Sequence, residues 1–399
     1  MRYCTTYLYF ALCTITQLRK RDHGKRRLGS FLCTRFHTLS SHPEEPPITR
    51  ITENMRFKAK LAPEQVSLLY QLIVPISRLA SSSSAGDGVA TSLHRNGCVL
   101  YMDTNRLCIS IKGQSTDTDG IICFAELQAS QGIFLEHRIE SAAENNVILM
   151  ELDICQLRMA LQSVTSEHRS SDSNTSSSLT GLADQNMTVL KLAKRSNIPC
   201  LCLDANNNAG SGSAVAVHHT IPVRILRPAE MQYHLPPQIP LPDVQLELTG
   251  TTAATVKTVV ERLRSLSPTV HLSASMTGEL TVSLDSDGAS IRTFFSKLHP
   301  RPEDCKPGTD ECCVKVDTKK LCASLHWQGG NSSGGSGGGG GGSGNLTAHA
   351  AAHNLVSSAT LCLVENEMLI VHAVLQPAQV GFFTYYVPVH YLSSDPRDD

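Results

Sequence analysis

Aromatic side chains are scarce: one Trp, nine Tyr and ten Phe make up 5% of 399 residues. They do not interleave with the cations of the predicted helices, so base stacking on single-stranded nucleic acid is not indicated. Long apolar runs are missing as well. No stretch approaches the roughly eighteen apolar residues that a membrane-spanning helix needs. The fourteen cysteines include no CxxC. Cys98, Cys108 and Cys123 sit in apolar runs, and Cys200 and Cys202 alternate on a strand pattern. They read as reduced, buried thiols and not as a disulfide framework.

Catalytic signatures are absent too. There is no GxSxG, GxxxxGKS/T, HExxH or EF-hand loop. A glycine tract matches GxGxxG formally, but no strand runs into it, so no phosphate site is implied. His299, Cys305, Cys312 and Cys313 lack the ligand spacing of a zinc motif. His349 and His353 have helical i, i+4 spacing without the accompanying Glu. His218 and His219 lie on a strand pattern and point to opposite faces. Sequons at Asn174, Asn186, Asn331 and Asn345 carry little meaning without a convincing secretory signal. No catalytic residue, cofactor or metal is expected, and the chain reads as a non-enzyme.

The charge that is present is unevenly placed. The net charge is -1. Residues 1–54 hold nine Lys/Arg and four Asp/Glu, which leaves 26 basic and 32 acidic side chains in residues 55–399. The first 43 residues resemble a transit peptide in composition. Ordered-looking sequence begins abruptly at Met55, so residues 1–54 read as a disordered extension or a mispredicted start. Against the acidic remainder, the predicted helices carry Arg78, Arg158, Lys257, Arg262, Arg264, Lys319 and Lys320. A solvated helix face is the ordinary explanation. Cations gathered on an otherwise acidic body fit an anionic partner better. Phosphate contact, nearly independent of sequence, is the expectation.

Periodicity divides the chain in two. A strand from Arg56 is followed by a helix over 63–80, which Pro75 should kink or split. Five strand patterns come next, then a helix over 153–164 capped by Asp153, then further strands to Leu226. A Pro-rich stretch, 228–242, reads as a connector. The same order then recurs, with helices over 251–266 and 317–327. The expected division is 55–227, the connector, 243–392 and a tail of 393–399. A Ser-rich insert covers about 167–185 and a Gly-rich insert about 328–344.

Several stretches carry a family resemblance. "MRFKAKL", "SAAENNVILMELDICQLRMAL", "IPCLCL", "HTIPVRIL", "LPDVQLELTGTTAATVKTVVERLRSLS" and "TGELTVSL" occur in order between Met55 and Leu392. They resemble the Hus-one subunits of DNA-damage checkpoint clamps, within the PCNA-like sliding-clamp family. The resemblance implies an α+β, two-domain PCNA-like DNA clamp, with antiparallel sheets and two helices per domain. It implies a heterotrimeric ring with Rad-nine and Rad-one type subunits around double-stranded DNA, serving checkpoint signalling and repair in the nucleus. It also implies a clamp loader and repair-protein partners, and no membrane. The seven helix cations would face DNA. Edge strands bearing Val215, Val217, Ile221, Val223, Ile225, Ile291, Thr293 and Phe295 would join subunits. Met231, Tyr233, Leu235 and Ile239 of the connector would receive client proteins, or the connector is a plain linker. A replication-type homotrimeric clamp and a DNA-metabolism enzyme on a β-rich scaffold are the alternatives, and the transit-like segment leaves an organelle as a further location.

Overall fold

The computed structural model describes residues 55–80, 97–113, 120–129, 133–172, 187–207, 215–227, 229–230, 234–286, 288–327, 355–376 and 380–391. The expectations for residues 1–54, for most of the Ser-rich insert, for the Gly-rich insert and for the tail lie outside them. The first half runs β1 (Arg56–Leu61), α1 (Pro63–Ala80), β2 (Gly97–Met102), β3 (Arg106–Lys112), β4 (Ile122–Gln128), β5 (Glu136–Glu140), β6 (Ile148–Asp153), α2 (Ile154–Asp172), β7 (Thr188–Arg195), β8 (Ile198–Asn207) and β9 (Val215–Ile225). The second runs β10 (Val244–Thr249), α3 (Gly250–Leu263), β11 (Thr269–Ser275), β12 (Glu279–Ser286), β13 (Ala289–Phe295), β14 (His299–Pro300), β15 (Glu311–Asp317), α4 (Thr318–Ser324), β16 (Val356–Val364), β17 (Met368–Leu375) and β18 (Gly381–His390).

Strict alternation makes the strands. In β1, Phe57, Ala59 and Leu61 are buried while Arg56 and Lys58 are exposed, as a half-buried sheet requires. The helices form where the apolar spacing changes to 3.6. Val66, Leu69, Ile73 and Ile76 bury one face of α1. Ala253, Val256, Val260 and Leu263 do so for α3. The caps are local. Asp153 Oδ1 accepts from the Cys155 and Gln156 amides, and Asp317 Oδ1 from those of Lys319 and Lys320. Thr249 caps α3 through the Thr252 amide.

Some bounds differ from the expected ones. Helix α1 stays one element through Pro75, which is itself buried. Helix α2 continues to Asp172, past the expected end at 164. Helix α3 ends at Leu263, so Leu266 does not join its apolar face and is 52% exposed.

The two halves repeat strand for strand. In the first, β5-β1-β7-β8-β9 form one ladder and β9-β6-β2-β3-β4 another. In the second, β14-β10-β16-β17-β18 and β18-β15-β11-β12-β13 do the same. Strands β9 and β18 each cross between ladders at a proline. Pro222 is the last residue of β9 to pair with β8, and Val223 then pairs with Leu152. Pro388 ends the pairing of β18 with β17, and Val389 then meets Val316. A residue without an amide hydrogen suits a point where the ladder changes partner.

One antiparallel seam joins the halves. Strand β18 pairs with β4 from Gly381 opposite Leu127 to Tyr386 opposite Ile122. Gly381 has φ +146, and a Cβ there would lie 2.0 Å from the Glu126 carbonyl oxygen. Only glycine tolerates that approach. The core runs continuously beneath the seam, with Cys123, Ala125, Phe383 and Tyr385 all buried in it.

Candidate nucleic-acid interface

The helices pair within each half, and His326, just past α4, is within electrostatic reach of charges from both halves. Arg78 in the last turn of α1, and Lys257 and Arg264 of α3 and its cap, all act on this ring through space. Burial and then these cations hold its pKa down to about 4, so it is neutral at physiological pH. Three of the seven expected cations thus lie within electrostatic reach of one residue. Arg78, Arg262, Arg264 and Lys319 are exposed.

The other cations are placed differently. Lys257 lies 3.7 Å from Glu261, and only 12% of its side chain is exposed. Arg158 of α2 is half-buried, and its Nε is buried without a hydrogen-bond partner among the described residues. Lys320 is half-buried in the first turn of α4. The cationic character of the helices therefore lies mainly in the second half and at its junction with α1. Among the described residues no three His, Cys, Asp or Glu side chains gather to hold a metal. The Cys305 and Cys312 thiols are pushed up by burial, to about 11 and about 12.

Four strands stand at the end of a ladder with no further strand beside them among the described residues. Two of these edges are blunted. Strand β14 has two residues. Strand β5 exposes Glu136 and Arg138 and carries Glu140, and charge on an edge discourages further pairing. The other two, β13 and the 215–222 segment of β9, are not. They pair only with β12 and β8 over those residues. By the repeat they are the counterparts of β4 and β18, the strands that form the internal seam.

The side chains expected at these edges face inward. Ile221 and Val223 are buried, and Val217, Ile225, Ile291 and Phe295 pack against the chain's own core. Thr293 is half-buried beside them, and the side chain of Val215 lies outside the described residues. What the edges offer is backbone, with Ala216, His218 and Thr220 exposed on β9 and Ser290, Arg292 and Phe294 on β13. Phe294, at 71% exposure, is the residue that sequence reasoning missed. It chose Phe295, one position away.

Of the connector residues, Met231 and Tyr233 lie outside the described residues. Leu235 is 48% exposed. Ile239 packs on Cys362, Val364 and Ile370 together with Met368 and Tyr386, on the sheet face turned away from the core.

A family model described as Hus1-like protein matches residues 55–333. The chain belongs to the Hus1-like family. The checkpoint protein hus1 homolog of Dictyostelium discoideum is 27% identical over 338 residues, spanning 84% of this chain and 98% of the relative. Checkpoint protein HUS1 of Homo sapiens is 28% identical over 186 residues, which is 46% of this chain and 58% of the relative. Among solved structures, PCNA from Thermococcus kodakaraensis superposes with a TM-score of 0.50 at 10% identity, over 84% of this chain and all of that one. Proliferating Cellular Nuclear Antigen from Entamoeba histolytica gives 0.52, also at 10% identity, over 84% and 99%. At that identity the likeness establishes the fold, α+β and PCNA-like. Among the described residues no helix is long and apolar enough to cross a membrane.

Proposed function

We propose that this Hus1-like chain is a non-enzymatic subunit of a heterotrimeric clamp that encircles double-stranded DNA and supports damage checkpoint signalling and repair. The observation that carries this is the pair of unblunted edges. Strands β9 and β13 correspond by the repeat to β18 and β4, which already form a six-residue joint inside the chain. Partner strands at both edges would close a ring with the helices inside. The expected partners are Rad-nine and Rad-one type subunits, with a clamp loader and repair proteins as clients, and the nucleus is the place of action. The chain divides into domains at 55–227 and 243–392, with 228–242 between them. Arg78, Arg262, Arg264 and Lys319 would meet phosphates weakly, as sliding requires. Ile239 and Leu235 would form part of a client contact on the connector.

The test is co-expression with the two partner types, followed by loading on DNA with blocked ends and on the same DNA after linearisation. A 1:1:1 assembly retained only on the blocked DNA is the expected result. A stable homotrimer of this chain alone would return the replication-type reading, and equal retention on open ends would end the ring reading.

A further inference from the structure

The cations of this chain are not confined to its helices. The register of the first ladder places Arg138 of β5 opposite Lys58 of β1, and Lys58 opposite Lys191 of β7. Directly opposite residues share a face. This face is the one turned away from the core, since the alternate residues Phe57, Ala59 and Leu190 are buried in it. Three cations therefore stand abreast on adjacent strands, across about 10 Å at the usual interstrand spacing.

Like charges in direct cross-strand register destabilise a sheet, and this row contains two such pairs. Its flanks relieve it only in part. Arg138 pairs with Glu140, and Lys191 with Asp204 at 2.7 Å. Lys60 takes Glu136 at 2.8 Å. Lys58, in the middle, has no ion pair among the described residues and acts only at longer range on Glu136, whose carboxyl is held low first by Lys60.

We propose that this row is a docking site for a phosphorylated segment of a partner protein, with a phosphoserine or phosphothreonine seated over Lys58 between Arg138 and Lys191. Charge complementarity selects the occupant. An added carboxylate would compete with Glu140 and Asp204 on equal terms. A phosphate brings about -1.5 to -2 charge and three acceptor oxygens, enough to engage the central ammonium and both neighbours. Duplex DNA is disfavoured, because its phosphates continue along both strands beyond the row and would run onto the carboxylates of Glu136, Glu140 and Asp204. The site is separate from the helix cations and does not depend on the clamp reading.

The full-length chain is titrated, at low salt, into a fluorescein-labelled Gly-Ser peptide with phosphoserine at alternate positions. The same peptide with plain Ser, the same with Glu, and a short DNA duplex serve as rivals. The phosphopeptide is expected to bind best, and Lys58→Glu to weaken it by about tenfold. Lys58→Glu should not lower the unfolding temperature, because it replaces two like-charge pairs with attractive ones. Lys297→Glu, on a distant turn, controls for net charge and should leave binding unchanged. The proposal is overturned if the phosphopeptide does not bind, if plain Ser or Glu binds as well, if Lys58→Glu leaves binding unchanged, or if the two variants weaken it equally. Loss of duplex binding alone in Lys58→Glu would make the row a nucleic-acid contact and would also overturn it.

Discussion

At the scale of single residues, exposure decides which cation is worth testing. Lys257 lies within the helix expected over 251–266, yet its stem is largely buried and its ammonium is shared with Glu261. Arg264 caps the same helix and is exposed. Arg264→Glu should therefore leave stability within about 0.5 kcal/mol while lowering the salt slope of DNA retention by about one unit for each phosphate that the side chain neutralised. Lys257→Glu should cost more in stability and less in retention. Urea unfolding and salt-dependent retention of the assembled ring measure the two effects. If Lys257→Glu is the more damaging to retention, the phosphate-facing surface lies elsewhere on the helix.

Histidine supplies a pH dependence. His372 is half-buried, its ring 4.9 Å from that of Phe382 and tilted against it, and it is bonded through Nδ1 to Thr384 Oγ1 at 2.9 Å. Burial and then Arg301 hold its pKa down to about 4, as burial does for His326. Both are lower in the folded chain than in the unfolded one, so the unfolded chain takes up protons first as the pH falls. Their stabilising effect is complete above about pH 6.5 and is lost as the pH falls toward 4. The urea midpoint should drop over that window, and His372→Gln should flatten the drop. A midpoint that stays level from 6.5 to 4 would contradict this.

At the scale of elements, much was legible. Alternation located the strands, and the switch to helical spacing located the four α-helices among the described residues. What was not legible depended on register or on tertiary contact. Strand β14 has two residues and owes its existence to pairing with β10. Phe294, by contrast, was legible locally, because Ser290, Arg292 and Phe294 alternate with Ile291, Thr293 and Phe295. Lys58, Arg138 and Lys191 are far apart in sequence and become neighbours only through two ladders.

Phe294 is the element-scale test of the open edge. Phe294→Lys should leave the isolated chain folded within about 0.5 kcal/mol, because the side chain touches little of its own chain. It should prevent one joint of the ring, as a charge on an edge strand discourages pairing. Light scattering of the co-expressed subunits should then show an incomplete assembly. An intact ring would remove β13 from the joint. Gly381→Ala tests the closed edge. Its side chain would collide with the Glu126 carbonyl at a φ that L residues rarely adopt, and a loss of about 1–3 kcal/mol is expected, measured by denaturant titration.

For the whole molecule, the two halves share one continuous core and one ladder seam, while the described part of the connector packs through the half-buried Ile239 and the buried Pro242. A protease that cuts within 228–242 should therefore leave both fragments co-eluting on size exclusion under native conditions. Fragments that separate on cutting would mean that the seam cannot hold without the covalent link.

In the proposed ring the two outer edges would use the same antiparallel ladder as that seam, but the connector changes what the ladder can do. Inside the chain, the halves are tethered at an effective concentration of the order of millimolar, so β4 and β18 rejoin whenever they part. Between chains the same joint must form from free subunits at whatever concentration the cell holds. Dilution would act on the untethered joints and leave the tethered one closed. In a ring built from this chain, the gate would lie at a joint between subunits, of which β9 and β13 supply two, and not at Gly381.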